Sequence, residues 1–194
     1  MATVEEGVVA PTGRVLLVGK RARVLDRLAD ALRREGLHVR QETEDRAGSL
    51  VGGDTVDVVA LGRAVTGNRR DTIVRELRAR NPSLRVVDGL APITPLLVAQ
   101  IQEALTVPSR EPPIIISAGV DPSDRSVLLR LRRQANVTVD LYRLDLLYRA
   151  HEEHVHSGPL NRGSHVLPTK GRVTAGERFV VVRADDQTTV HPVA

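Results

Sequence analysis

The sequence predicts a mixed chain: a small doubly wound parallel α/β sheet of about four strands, followed by an all-β sandwich. Three observations point there. Between residues 13 and 105, short apolar runs alternate with segments whose apolar residues recur at helical spacing. After residue 113 the apolar period changes to two, the period of a strand. Between these stretches, residues 106–113 run Thr-Val-Pro-Ser-Arg-Glu-Pro-Pro without any apolar period and predict a linker.

Residues 1–12 lack periodicity and are expected to form a flexible arm. Residues 14–18 are a short apolar run, consistent with a first strand buried on both faces. Val24, Leu25, Leu28, Ala31 and Leu32 follow at helical spacing, and Gly36 closes that helix. Residues 37–42 alternate as a second strand, residues 48–54 are a glycine-containing loop, and residues 56–61 are a third strand. A helix over 71–80 sets Ile73, Val74 and Leu77 on one face. Asn81-Pro82 stops it, because proline pushes the preceding residue out of the helical region. Residues 84–88 are the fourth strand. Thr94 then serves as an N-cap, with Pro95 at the first helical position and Leu96, Leu97, Ile101 and Leu105 completing the helix. Strands separated by helices imply right-handed parallel crossovers, which makes residues 13–105 one doubly wound domain.

Residues 114–194 form the second domain. Residues 114–117 are a strand. Val127, Leu129 and Leu131 alternate with Leu128, Arg130 and Arg132, and Val137, Val139 and Leu141 alternate with Thr138, Asp140 and Tyr142. Residues 147–156, 164–167, 178–184 and 188–193 supply the remaining strands. Turn residues separate them at Ser157-Gly158-Pro159, Asn161-Arg162-Gly163, Ala175-Gly176 and Asp185-Asp186. About seven short strands spaced by roughly 8–12 residues predict a sandwich. Residues 124–133 also carry Leu at helical steps. The strand is preferred there because residues 127–141 then make a hairpin about Asn136.

Composition narrows the function classes. The chain has 194 residues, 41% hydrophobic but only 2% aromatic, so its core must be built from Val, Leu, Ile and Ala. There is no Cys, which excludes disulfides and thiolate chemistry. The 28 cations, nearly all Arg, face 24 anions, so the pI of 10.2 overstates a net charge of only +4. A mixed-charge surface with so few aromatics to stack on bases does not predict a nucleic-acid partner. No charged-then-apolar leader and no 18-residue apolar run is present, so a soluble, cytoplasmic protein with no membrane partner is expected. The heavy Arg and Ala usage resembles that of GC-rich bacteria.

Two resemblances follow from particular residues. The run Val127-Leu-Leu-Arg-Leu, then Ala135-Asn-Val-Thr-Val-Asp-Leu-Tyr142, Ser157-Gly-Pro-Leu and Gly163-Ser-His resembles bacterial immunoglobulin-like modules of the type in flagellar hook-capping proteins. Gly158, Leu160, Gly163, His165 and residues 179–183 fit the turn and strand pattern of those modules. The resemblance implies an immunoglobulin-like sandwich with a structural or adhesive role, hence interaction rather than chemistry. The N-terminal half resembles response-regulator receivers and small Rossmann-like domains. In receivers an acidic pair follows the first strand, an Asp ends the third and a Lys follows the fifth. Here those positions are Gly19-Lys20 and Gly62, and no fifth strand with a Lys precedes the linker. A phosphoacceptor needs clustered carboxylates to hold Mg²⁺, and Lys20 and Arg63 would repel it. A dinucleotide loop needs three glycines at G-x-G-x-x-G spacing, whereas Gly19 stands alone. Glu42 does sit about where a ribose-binding acid would.

Ligands of parallel sheets bind at the carboxyl ends of the strands. The candidate ligand residues there are Gly19, Lys20, Arg21, Glu42, Gly62, Arg63, Arg69 and Arg70, with a helix N-terminus near Asn68 to add positive potential. Such a set suits a phosphate, a nucleotide tail or an acidic partner. The alternative is a solvated Arg-rich rim, neutralised in part by Asp71 and Asp88. The run His151-Glu-Glu-His154-Val-His156 is the other candidate. On a regular strand Glu152, His154 and His156 share one face, a conceivable His-His-Glu metal set. The alternative is the polar outer face of a sandwich strand. His38, His165 and His191 suggest packing or surface positions, and the 89–92 loop suggests a turn or a ligand-lining loop. Ser117 and Ser164 lack the G-x-S-x-G elbow of a hydrolase.

No complete catalytic set emerges and no cofactor is implied. The expectation is a non-catalytic interaction or scaffold protein that binds a protein partner or self-associates through exposed edge strands. The alternative is a Rossmann-type nucleotide- or anion-binding enzyme or sensor using Gly19, Lys20, Glu42, Gly62 and Arg63.

Overall fold

A computed structural model describes residues 13–44, 55–89, 93–106, 111–121, 125–144, 149–170 and 177–193. The expected arm (1–12), the 48–54 loop, residues 90–92, half of the linker (107–110) and the Ala175-Gly176 turn lie outside the described residues. The chain forms two compact units, residues 1–89 and 90–194.

The first unit runs β1 (Arg14–Gly19), α1 (Ala22–Arg34), β2 (His38–Thr43), β3 (Val58–Gly62), α2 (Gly67–Arg80) and β4 (Arg85–Gly89). All four strands are parallel, in the order β2-β1-β3-β4. The short apolar runs are strands because both sheet faces are covered: Val15, Leu16, Leu17 and Val18 are all buried. Leu16, Val18, Val59 and Leu61 pack with Val65, Ile73 and Leu77, so α2 covers their face. Gly19 belongs to the opposite set of alternating residues and meets α1. A Cβ there would lie 3.2 Å from Leu25 Cδ2.

The helix ends are locally coded. Gly36 has φ +81°, and its N–H donates to the Arg33 carbonyl at 3.0 Å. The Leu37 N–H donates to the Leu32 carbonyl at 3.2 Å, and both leucines are buried. Together these bonds satisfy the last carbonyls of α1 and turn the chain into β2. Asn81 ends α2, with Nδ2 donating to the Val56 carbonyl at 2.8 Å and Oδ1 accepting from the Ser83 N–H at 3.0 Å. Those two hydrogen bonds pin the turn into β4.

The second unit comprises α3 (Thr94–Leu105), β5 (Ile115–Asp121), β6 (Ser126–Leu131), β7 (Ala135–Leu144), β8 (Ala150–Leu160), β9 (Gly163–Pro168), β10 (Glu177–Ala184) and β11 (Gln187–Val193). The strands form two antiparallel sheets, β5-β6-β9 and β11-β10-β7-β8. Val127, Leu129, Leu131 and Leu167 of the first share one buried cluster with Val137, Val139, Val180 and Val182 of the second.

Three expectations are corrected here. The helix at residues 94–105 was assigned by its apolar period to the N-terminal domain, with the boundary at the linker. It lies instead within the second unit. Ile93, Leu96 and Ala99 pack on Tyr142, Leu144 and Val181 from the four-stranded sheet, flanked by Phe179 and Val190. Helical spacing specifies an apolar stripe but not the sheet it covers. Ile93, not Thr94, is the N-cap residue, and no side chain caps the helix. The third correction concerns residues 127–141, expected as a hairpin about Asn136. The strand over the strand/helix ambiguity is observed, but β6 and β7 do not form a hairpin. β6 pairs with β5 and β9, and β7 pairs with β8 and β10. Strands facing each other across a core satisfy the same alternation as strands paired side by side.

Candidate functional site

The carboxyl edge of the parallel sheet brings most of the predicted residues together. β1 delivers Gly19 and Lys20, β2 delivers Glu42 and Glu44, β3 delivers Gly62 and Arg63, and β4 delivers Asp88. The first turn of α2 adds Arg69 and Arg70. Three of the cations there, Lys20, Arg69 and Arg70, are engaged with the protein's own oxygens. Lys20 Nζ lies 3.4 Å from Glu44 Oε1. Arg69 donates through Nε, at 2.8 Å, and through Nη2 to the Glu44 carbonyl. Arg70 forms a forked pair with Asp88, with Nε to Oδ1 at 3.1 Å and Nη2 to Oδ2 at 3.0 Å, and Asp71 lies 3.9 Å from its Nη1. Glu42 pairs along its own strand with Arg40 at 3.9 Å. Arg63 is exposed, and Arg21 is the exposed N-cap of α1, its carbonyl accepting from Val24 and Leu25.

The two glycines serve packing. Gly19 leaves space for Leu25 of α1, and a Cβ on Gly62 would come to 3.4 Å from the Val18 carbonyl oxygen. Their backbones do not need left-handed angles. The residue missed in the sequence is Glu44, whose carboxylate pairs with Lys20 and whose backbone carbonyl accepts from Arg69. The available signal is an acid just beyond the alternating run of β2.

The histidine-rich strand is rearranged by a bulge. β7 and β8 lose register between Val139 and Asp140, so His154 faces Asp140 while His156 faces Val139. The expected metal set of Glu152, His154 and His156 is therefore split. Glu152 accepts a 3.2 Å hydrogen bond from the Tyr142 hydroxyl, His154 Nδ1 lies 2.8 Å from Asp140 Oδ1, and His156 Nε2 lies 3.3 Å from the Gly158 carbonyl. Among the described residues, no three His, Asp or Glu side chains are grouped to hold a metal ion.

What the bulge creates is an ionic cluster around Asp140, one of two buried polar residues found among the described core. Asp140 accepts from His154 on one side and from Arg183 Nη1 at 2.9 Å on the other. One carboxylate thus ties β8, β7 and β10 together. Burial, followed by the nearby Asp140 and Glu152 carboxylates, pushes the Tyr142 hydroxyl above its ordinary value, so it stays protonated and donates to Glu152. This cluster is structural chemistry: a desolvated anion balanced by two donors.

A comparison with protein-family models finds no match, and neither does a comparison with curated proteins. No helix among the described residues is long and apolar enough to cross a membrane.

Proposed function

We propose that this chain is a non-catalytic interaction or scaffold protein, in which a receiver-like, doubly wound α/β unit is joined to an immunoglobulin-like β-sandwich. The observation that carries the reading is the state of the carboxyl edge. Lys20, Arg69 and Arg70 spend their charge on Glu44, its carbonyl and Asp88, where a catalytic edge would hold a metal or present donors to a phosphate.

The strand orders support the fold names. The order β2-β1-β3-β4, with α1 and α2 on opposite faces, follows the doubly wound pattern in which crossovers run both ways from the first strand. In the second unit the first, second and fifth strands form one sheet and the third, sixth and seventh the other, as in immunoglobulin-like sandwiches. The fourth strand, β8, joins the second sheet beside β7 as its edge. Edge strands are the recurrent sites of strand addition, and no residue of β8 is buried.

The experiment is intact-mass analysis of the full chain after incubation with Mg²⁺ and acetyl phosphate, together with melting curves in millimolar NAD(P), flavin and ATP. The expected outcome is an unmodified chain, with Lys20→Gln or Arg70→Gln leaving the melting curves equally indifferent to nucleotide. A stoichiometric phosphoryl adduct, or nucleotide stabilisation abolished by Lys20→Gln, would restore the receiver or Rossmann reading.

A further inference from the structure

The opposite, amino edge of the parallel sheet has a different character. A cavity of about 580 Å³ opens there, within the range of small-molecule sites. Arg14, Arg33, Arg40 and His38 line it, and Val15, Leu37, Val39 and Val56 supply its apolar wall. No carboxylate is among its described lining residues.

Carboxylates that pair with these cations stand outside the described lining. Asp57 accepts from Arg14 Nε at 3.2 Å, from Arg14 Nη2 at 3.1 Å and from the Arg14 N–H at 2.9 Å. The Arg14 side-chain bonds, as the main cause, hold the Asp57 carboxyl below its ordinary value, although burial opposes them. Arg33 donates to Asp30 Oδ1 at 3.2 Å and to the Val39 carbonyl at 3.1 Å. Glu42 lies 3.9 Å from Arg40 Nη2. Two of the three guanidiniums are thereby fixed by hydrogen bonds from their flanks, while the described cavity wall presents three guanidiniums, His38, Thr55 and an apolar surface. Such a wall concentrates anions. Fixed guanidiniums also lose little further freedom on binding.

We propose that this cavity binds a small organic anion with an apolar body. Arg33, Arg40 and His38 hold the charged group, and Val15, Leu37, Val39 and Val56 take the apolar part. The site lies at the edge where parallel sheets do not usually bind ligands. It goes beyond the interaction reading and stands independently of it, since a non-catalytic scaffold can also carry an effector.

The test is calorimetric titration of the full chain with 2-naphthoate, and with 2-naphthamide as the neutral analogue of similar shape, followed by amide NMR shifts. Naphthoate should saturate one site per chain, bind about tenfold tighter than the amide, and shift the Val39 and Val56 amides most. Arg33→Gln/Arg40→Gln should weaken naphthoate about tenfold, while Lys20→Gln at the far edge changes nothing. Absence of saturable binding at millimolar ligand, equal affinity for the amide, or shifts confined to the carboxyl edge would overturn the proposal. Arg33 also bridges α1 and β2, so the exposed Arg40→Gln single variant serves as the second check. With an unchanged melting curve and unchanged naphthoate affinity, it would remove the assignment to this cavity.

Discussion

Asp140 shows most clearly how a single side chain organises this protein. It is 7% exposed and sits at the only register shift between β7 and β8. A carboxylate taken out of water costs several kcal/mol unless opposing charges and donors offset it. His154 and Arg183 supply those donors from neighbouring strands. Asp140→Ala leaves Arg183, 32% exposed, without its anion, and should lower unfolding free energy by about 2–4 kcal/mol in urea at neutral pH. His154 is 56% exposed and water can replace it, so His154→Ala should cost about 1 kcal/mol or less. Equal losses for the two variants would mean that strand geometry, rather than the buried charge, holds the bulge. The alternation in the sequence marks Asp140 as an outward residue, which is correct. What it does not reveal is that the outer face is covered: Tyr142 by α3, and Asp140 by its two partners.

The elements themselves were readable where local chemistry decides. The apolar run of β1, the Gly36 turn and the Asn81 stop each depend on residues close by in the chain, and each is found as expected. The pairing of elements was less readable. β6 and β7 have matching alternation and a turn-rich connection, yet they lie in different sheets, because facing and pairing leave the same period-two signature. α3 was misassigned for a related reason, since its apolar stripe fits any apolar sheet face. The metal set on β8 was lost to one extra residue, which no alternation pattern reveals in advance. The docking of α3 has a titratable consequence. Its Glu103 accepts the Val190 N–H at 3.1 Å, beside half-buried His191. Burial lowers the His191 pKa from its ordinary 6.5, and Glu103 opposes this only in part. The unfolded chain therefore binds a proton near pH 6.5 that the folded chain takes up only at lower pH, so stability falls as pH drops below 6.5. Substituting His191→Gln should flatten this part of the stability-versus-pH curve, read from urea midpoints between pH 7.5 and 5. An unchanged slope would assign the dependence to another group.

For the chain as a whole, the two units offer different surfaces. The parallel sheet closes its carboxyl edge with its own ion pairs. The antiparallel sheets protect some edges: Glu103 of α3 occupies Val190 on β11, and Gln187 Oε1 accepts the Ile114 N–H at the start of β5. β8 remains an outer strand with no buried residue, and its bulge, Gly158 and Pro159 interrupt the segment beyond His154. In the proposed reading, β8 is the edge to which another chain adds a strand, and these interruptions guard against open-ended stacking. The most direct test is size fractionation of the natively expressed chain in clarified lysate, detected by antibody. A protein whose role is interaction should elute at or above the mass of a dimer of its 21.1 kDa chain, and a charge placed on the β8 edge by Ala150→Lys should return it to the monomer position. Elution of the unmodified chain as a lone monomer would contradict the account.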